Sequence, residues 1–165
     1  LSKTNKNGKY FKKISEIQKI QDELEALTGV KQILTGDKIW EVLVAVILNH
    51  TVFSEQKKHD AQDDAGNLYE YKISKSYSWN FQDISDAVLK KYEDDEAIIL
   101  ASADKQRFEI KEIYSAKPHN TIPRLKEKLD ARKRKLEVGK TLRRLSVSLS
   151  KGDLEKIKAV QIFPR

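Results

Sequence analysis

Two carboxylates and one amine occur at a spacing that places them together on a β-hairpin. Asp60 precedes the turn-forming stretch 64–67, and Glu70 and Lys72 follow it in a segment with alternating side chains. If the turn is centred near Ala65, antiparallel pairing sets Asp60 directly across from Glu70, with Cβ atoms about 4.5–5.5 Å apart. Lys72 projects from the same face because side chains alternate along a strand.

These side-chain types suit the hydrolysis of phosphodiester bonds. Carboxylate oxygens are the ligands that Mg²⁺ prefers, and the ion keeps several waters that can act as nucleophiles. The ion lowers the pKa of its water and offsets charge that builds up at phosphorus, while a lysine can orient the water and stabilise the same charge. The sequence therefore offers Asp60, Glu70 and Lys72 as candidates for a magnesium-dependent catalytic site.

The same spacing also fits a hairpin with no catalytic role. Triplets of an acid, any residue and lysine recur at 55–57 and 109–111, and roughly three are expected by chance in a chain so rich in charge. In this alternative the charged hairpin faces solvent, and Lys72 is a cross-strand partner of the acids that adds little stability.

Composition and charge narrow the possible partners. The 165 residues include 32 Lys and Arg against 25 Asp and Glu, which gives a net charge of +7, and there is no cysteine. The lack of cysteine excludes a disulfide framework, a thiolate zinc site and a cysteine nucleophile. A surplus of cations favours a polyanionic partner such as nucleic acid, and the cations concentrate in the tract 124–144. A solvated helix face with charge pairs is the alternative for that tract.

From the residues given, we expect neither a membrane-spanning segment nor a secretory signal. The longest apolar run, 40–48, is interrupted by Glu41 and is much shorter than the roughly 20 residues that a spanning helix needs. The first residues are positively charged, but no apolar stretch of a secretory signal follows them. We therefore expect a cytoplasmic protein with no membrane partner.

The order of predicted helices and strands indicates a single α/β or α+β domain over 1–165. Helices are predicted over 14–28, from Asp37 through Ile47, around 84–92, and from Thr121 through Leu136, with 79–82 as a polar loop. Strands are predicted at 52–53, near Asp60, and at 68–73, 97–102, 108–114, 145–149 and 159–163. The domain divides into a helical part (1–50), a catalytic sheet (51–116), and a basic helix with C-terminal strands (117–165). The apolar faces of the first two helices suit either core packing or a dimer interface.

The predicted hairpin resembles the active-site segment of the PvuII-like type II restriction endonucleases, within the PD-(D/E)xK nuclease superfamily. The positions that match the family pattern are Asp60, Ala61, Asp63, Ala65, Gly66, Tyr69, Glu70 and Lys72. Weaker similarity extends over residues 15–118.

The resemblance implies a mixed central sheet flanked by helices, and a homodimer that cuts both strands of double-stranded DNA at a short palindromic site. It implies Asp60 and Glu70 as ligands of Mg²⁺, Lys72 as the catalytic lysine, and N-terminal helices that help to form the dimer.

The residues that would read the DNA sequence differ from those of the family. Residues 79–83 stand where the family has histidines that contact bases, Lys57 replaces an acidic residue before the motif, and an asparagine pair near the C-terminus has no counterpart. The resemblance thus carries over the cleavage chemistry but not the recognised sequence.

Side-chain chemistry suggests other contacts to DNA. The amides of Asn80 and Gln82 can pair with adenine, the carboxylate of Asp83 can accept from cytosine, and cations can contact phosphate or guanine. The predicted DNA-binding residues are Asn80, Gln82, Asp83, Lys140, Arg143 and Arg144. For such polar side chains, simple solvation is the alternative.

Two rival functions remain open. One is a repair or junction-resolving nuclease of the same fold. The other is a noncatalytic basic module that binds DNA or RNA, in which the hairpin charges are structural.

Overall fold

Four helices and eight strands make up the part of the chain that the computed structural model describes, residues 3–28, 37–53, 58–135 and 145–164. The helices are α1 (Lys3–Thr28), α2 (Asp37–Leu48), α3 (Asp86–Tyr92) and α4 (Pro118–Arg134). The strands are β1 (Thr51–Val52), β2 (Ala61–Gln62), β3 (Leu68–Ser74), β4 (Ser78–Phe81), β5 (Ala97–Asp104), β6 (Glu109–Ala116), β7 (Val147–Ser150) and β8 (Val160–Phe163). A 3₁₀ turn, Lys151–Asp153, follows β7. The fold is mixed α+β, with helices against a sheet, as predicted.

The central sheet has six strands in the order β1-β2-β3-β5-β6-β8. Strands β3 and β5 run parallel, and the other neighbours pair antiparallel. Strand β5 is buried along nearly its whole length, as expected for a strand covered on both faces. Strands β4 and β7 pair with each other in a separate two-stranded ribbon.

Apolar side chains cover both faces of the central sheet. On one face, Trp40 and Val44 of α2 pack with Ile99 of β5. On the other face, Leu125 of α4 packs with Ile98 of β5, together with α3 and the inner side of the β4–β7 ribbon. The α4 face is the face to consider for the candidate site. Every second residue of β3 lies beside a β5 residue whose side chain points to that face.

Helix α1 is longer than predicted. It begins at Lys3 rather than near residue 14. The spacing of Tyr10, Ile14 and Ile17 explains the extension, because these residues continue one helical face toward the N-terminus. Ile14 and Ile17 pack against the α2 side of the sheet, while Tyr10 is partly exposed.

The predicted loop 79–82 is largely strand β4. Trp79 and Phe81 are fully buried and alternate with the exposed Ser78 and Asn80. The alternation is too short to stand out in the sequence, because a four-residue strand has only two residues on each face.

Helix α4 also begins earlier than predicted. Its first residue is Pro118 rather than a residue near Thr121, so Pro123 lies inside the helix. Proline is well tolerated at the first helical position, where its missing N–H has no helical acceptor in any case. The predicted end of this helix, Leu136, lies outside the described residues.

Helix α2 corresponds to the longest apolar run of the sequence. It spans 12 residues and ends at Leu48, and Trp40, Leu43 and Val44 are buried against the sheet. Across the described ranges, no helix combines the length and the apolar character that crossing a membrane requires.

A buried carboxylate connects α4 to the end of β7. Asp153 Oδ2 accepts hydrogen bonds from the Ser150 main-chain N at 2.8 Å and lies 2.7 Å from Lys128 Nζ, and its Oδ1 accepts from Arg124 Nε at 2.8 Å. Burial opposes ionisation, but the hydrogen bonds from Lys128, Ser150 and Arg124 prevail and hold the pKa of Asp153 well below its usual value. This carboxylate therefore fixes the position of the ribbon on the sheet.

We expect Asp153→Ala to lower the free energy of unfolding by about 2–3 kcal/mol, because two cations and a main-chain N–H lose their acceptor. Urea denaturation followed by tryptophan fluorescence measures the change. The pKa of Asp153 is depressed by folding, so its contribution is complete above the ordinary aspartate pKa of about 4 and is lost as the pH falls toward the folded-state value. The exposed neighbour variant Glu155→Ala serves as control, and equal stability of the two variants at neutral pH would contradict this account.

Candidate active site

The turn between β2 and β3 is held by one carboxylate. Asp63 accepts hydrogen bonds from the main-chain N–H groups of Ala65 and Asn67, the Asn67 amide and the Tyr69 hydroxyl, all at 2.8–2.9 Å. The bond from the Asn67 side chain is the largest of the effects that lower the pKa of Asp63 to about 2. Gly66 supplies the positive φ of 83° that the turn requires.

This turn fixes the register that the sequence predicts. Ala61 pairs with Tyr69, and the Asp60 N–H donates to the Tyr69 carbonyl at 3.0 Å. The ladder between the two strands ends at this pair, with Asp60 hydrogen-bonded to Tyr69 and Glu70 the next residue along β3. Both carboxylates thus lie on one hairpin, and the direct pairing of Asp60 with Glu70 stays a prediction.

Where the ladder between the two strands stops, the Asp60 side chain accepts the next main-chain hydrogen bond of β3. Its Oδ2 accepts from the main-chain N–H of Tyr71 at 2.7 Å, in place of the strand carbonyl that a longer β2 would supply. Burial, and then the negative charge of Glu70, raise the pKa of Asp60 above its usual value. The raised pKa therefore follows mainly from burial, and the charge of Glu70 adds to it.

The side chain of Glu70 is almost entirely buried and contacts two lysines. It is 4 % exposed, and its Oε1 accepts from Lys72 Nζ at 2.5 Å while Oε2 lies 3.4 Å from Lys91 Nζ. Lys72 Nζ lies 5.5 Å from the ring centroid of Phe81 and 6.0 Å from that of Tyr92. The rings and the carboxylate thus fix the ammonium group of Lys72 on the α4 face of β3.

A buried histidine and carboxylate lie directly behind this group. His59, the residue before Asp60, has its Nδ1 2.7 Å from Asp95 Oδ1, and both side chains are buried. Burial is the main cause that raises the pKa of Asp95 to about 6, and the charge of Glu70 acts in the same direction. The pair joins the chain at Asp60 to the start of β5.

A groove of about 300 Å³ opens beside Lys72. The groove lies next to the part of β3 beyond Tyr69, where pairing with β2 has ended. Side chains from α2, β4 and the β5–β6 turn also line it. The lining residues are Trp40, Glu41, Tyr71, Lys72, Ile73, Ser78, Asn80, Gln82 and Lys105.

The predicted DNA-binding residues divide into three groups. Asn80 and Gln82 are exposed and line the groove with Lys72, so the structure brings them near the candidate catalytic lysine. Asp83 is exposed and follows Gln82 in the chain. Lys140, Arg143 and Arg144 lie outside the described residues.

Several residues of this site escaped the sequence analysis, among them Glu41, Lys91, Tyr92 and Lys105. Lys91 and Tyr92 come from α3 and meet Glu70 only through the packing of α3 on the sheet. Glu41 did leave a signal, as the one charge within an apolar run, and its negative charge acts on Asp60 in the direction that raises the pKa.

The donor set fits a divalent cation of the Mg²⁺ type. Asp60 and Glu70 provide two carboxylates, which are hard oxygen ligands, and a bound cation would relieve the repulsion that Glu70 exerts on Asp60. Within the ranges described, no group of three or more acidic or histidine side chains could hold a metal ion. The protein would thus provide two carboxylates, and water would fill most of the remaining positions, as is usual for Mg²⁺.

Replacing Glu70 by glutamine should lower the pKa of Asp60 toward its ordinary value near 3.9, because a negative neighbour is removed while the charge of Lys72 remains. Carbon-13 NMR titration of the aspartate carboxyl groups measures this shift without any metal present. The matched variant Glu109→Gln, on the exposed face of β6, should leave Asp60 unchanged. An Asp60 pKa that stays the same or rises in Glu70→Gln would show that the two carboxylates do not interact.

Comparison with known proteins gives no family assignment. No family model matches the chain, and no curated protein matches it significantly. The resemblance of the hairpin to restriction endonucleases remains an interpretation of its motif.

Proposed function

We propose that the chain is a magnesium-dependent endonuclease that hydrolyses phosphodiester bonds in double-stranded DNA, of the type II restriction class and acting as a cytoplasmic homodimer at a short palindromic site. The observation that carries this proposal is that Lys72, which lines an open groove, contacts Glu70, whose charge in turn acts on Asp60. A buried ion pair is weak in stabilising a fold, so stability alone gives little reason for two lysines on an almost fully buried Glu70.

Each of the three residues has a distinct task in the proposed reaction. Asp60 and Glu70 would hold Mg²⁺, which supplies positive charge next to the reacting phosphate and an acidified water. Lys72 moves from Glu70 to a phosphate oxygen and stabilises the negative charge that develops as water attacks phosphorus in line with the leaving oxygen. The hydrogen bond from the Tyr71 N–H orients the Asp60 carboxylate before substrate arrives.

The β4–β7 ribbon provides a surface suited to reading bases. Ser78 and Asn80 point away from the core, opposite Ser150 and Ser148 of β7, and Ser148 Oγ donates to Asn80 Oδ1 at 3.4 Å. The major groove of DNA admits a two-stranded ribbon, and asparagine and glutamine pair with adenine there. Cations of α4 flank the ribbon, since Lys128 and Arg132 donate to main-chain carbonyls of 146–148, and they raise the local attraction for phosphate.

A second copy of the chain follows from the proposed reaction. Cutting both strands of a palindrome requires two equivalent sites related by a two-fold axis, whereas the described chain has one such constellation. Helix α1 exposes large apolar side chains at Tyr10, Phe11 and Ile20, which a partner could cover.

The first experiment incubates supercoiled plasmid and Mg²⁺ with wild type, with Lys72→Ala, and with the matched variant Lys75→Ala, whose lysine is exposed after β3. Wild type and Lys75→Ala should give discrete linear fragments, with little nicked intermediate if two sites act together. Lys72→Ala should bind duplex normally and cut about 100- to 1,000-fold more slowly, as for loss of one charge-stabilising donor.

The other outcomes identify the rivals. A smear of fragments from wild type indicates a nonspecific nuclease, and cutting of branched DNA alone indicates a junction-resolving enzyme. Binding by wild type without any cutting indicates the noncatalytic module and removes the nuclease proposal.

A second experiment tests the ribbon. Asn80→Ala and Gln82→Ala should each relax the preference for one base pair by about 1–3 kcal/mol, the usual value of one bidentate contact. Sequencing of the ends cut from a randomised duplex library measures this preference. The control is Gln161→Ala, an exposed amide on the far edge strand β8. Unchanged preferences in both ribbon variants would contradict base contact by β4.

A further inference from the structure

Lys105 brings a second cation into the groove beside Lys72. It belongs to the turn between β5 and β6, and of the groove-lining residues only Lys72 and Lys105 carry positive charge. Lys72 is already engaged by Glu70 at 2.5 Å. A DNA strand in this groove would place more than one phosphate along it, because successive phosphates follow one another along the backbone.

The turn that carries Lys105 is firmly built. Asp104 Oδ1 accepts from the main-chain N–H groups of Gln106 at 3.1 Å and Arg107 at 3.2 Å. After the turn, the buried Phe108 stacks on Trp40 with ring centroids 5.5 Å apart. The backbone on both sides of Lys105 is therefore anchored to the protein.

The side chain of Lys105 is positioned as well. It is half-buried, and its Nζ lies 5.8 Å from the centroid of the Trp40 ring, which is 1 % exposed. An ammonium group held over an aromatic ring is already positioned, so it loses less freedom when it also binds an anion. Its place in the groove beside Lys72 puts this positive charge where an anionic ligand could reach it.

We propose that Lys105 contacts a phosphate of the bound DNA strand next to the one that is cut. The inference rests on the proposed function, since it takes DNA as the ligand of the groove. Lys72 acts on the reacting phosphate, and Lys105 fixes the strand beside it without taking part in bond cleavage.

The test measures binding of a 24-base-pair duplex by fluorescence anisotropy over a range of salt concentrations, without divalent ions. Each phosphate contact adds about 0.9 to the slope of log Kobs against log salt, so Lys105→Met should lower that slope by about 0.9 and weaken binding, while Lys105→Arg should keep both. Lys111→Met is the matched control, because Lys111 lies on the same hairpin, exposed and paired with Asp104 at 3.4 Å. It should bind as wild type does.

Thermal denaturation of each variant separates the outcomes. If Lys105→Met binds DNA with the wild-type salt dependence, the inference is overturned. If its melting temperature is also lowered, the role of Lys105 is to cover Trp40. Neither result touches the nuclease proposal, which the plasmid assay tests. Failure of wild type to bind the duplex at low salt overturns both.

Discussion

The removal of two neighbouring carboxylates, Asp60 and Glu70, from water is the constraint around which this region is organised. Two such carboxylates destabilise the fold unless something offsets their burial and their charge. The main-chain N–H of Tyr71 donates to the Asp60 carboxylate, and the ammonium groups of two lysines contact the Glu70 carboxylate. These contacts lower the cost without removing it, because burial and then the charge of Glu70 keep the pKa of Asp60 above its ordinary value.

The elements that supply these contacts explain much of the architecture. Strand β3 carries Glu70 and Lys72 on the face where α3 and the β4–β7 ribbon pack, so Phe81 and Tyr92 border the ammonium group of Lys72. The ribbon is held in turn by the contacts of Asp153 with α4. Hydrogen bonds and ion pairs of Asp153, far from the hairpin, thus help to keep the residues around Lys72 in place.

Local signals made the hairpin predictable, while long-range packing hid the rest of the site. The alternation of 68–73 and the turn residues near Gly66 fix the register through interactions within a few residues. Lys91 and Lys105 reach the site from α3 and from the β5–β6 turn, and no spacing in the sequence links them to Glu70. Strand β4 was missed because two buried aromatic residues are too few to reveal alternation, and the prediction that Asn80 and Gln82 bind DNA rests on their chemistry alone.

The shortness of β2 relates the fold most directly to the proposed activity. A strand that continued to pair with β3 beyond Tyr69 would supply a carbonyl to the Tyr71 N–H, and Asp60 would lose the bond that orients its carboxylate. It would also cover the side of β3 where the groove lies between Trp40 of α2 and Asn80 of β4. The end of the ladder at Asp60 therefore has two effects. The main-chain N–H of Tyr71 is free of a strand carbonyl and orients the Asp60 carboxylate, and the open side of β3 leaves room for a substrate strand. Stability alone would favour the longer strand, because every added pair satisfies two main-chain groups.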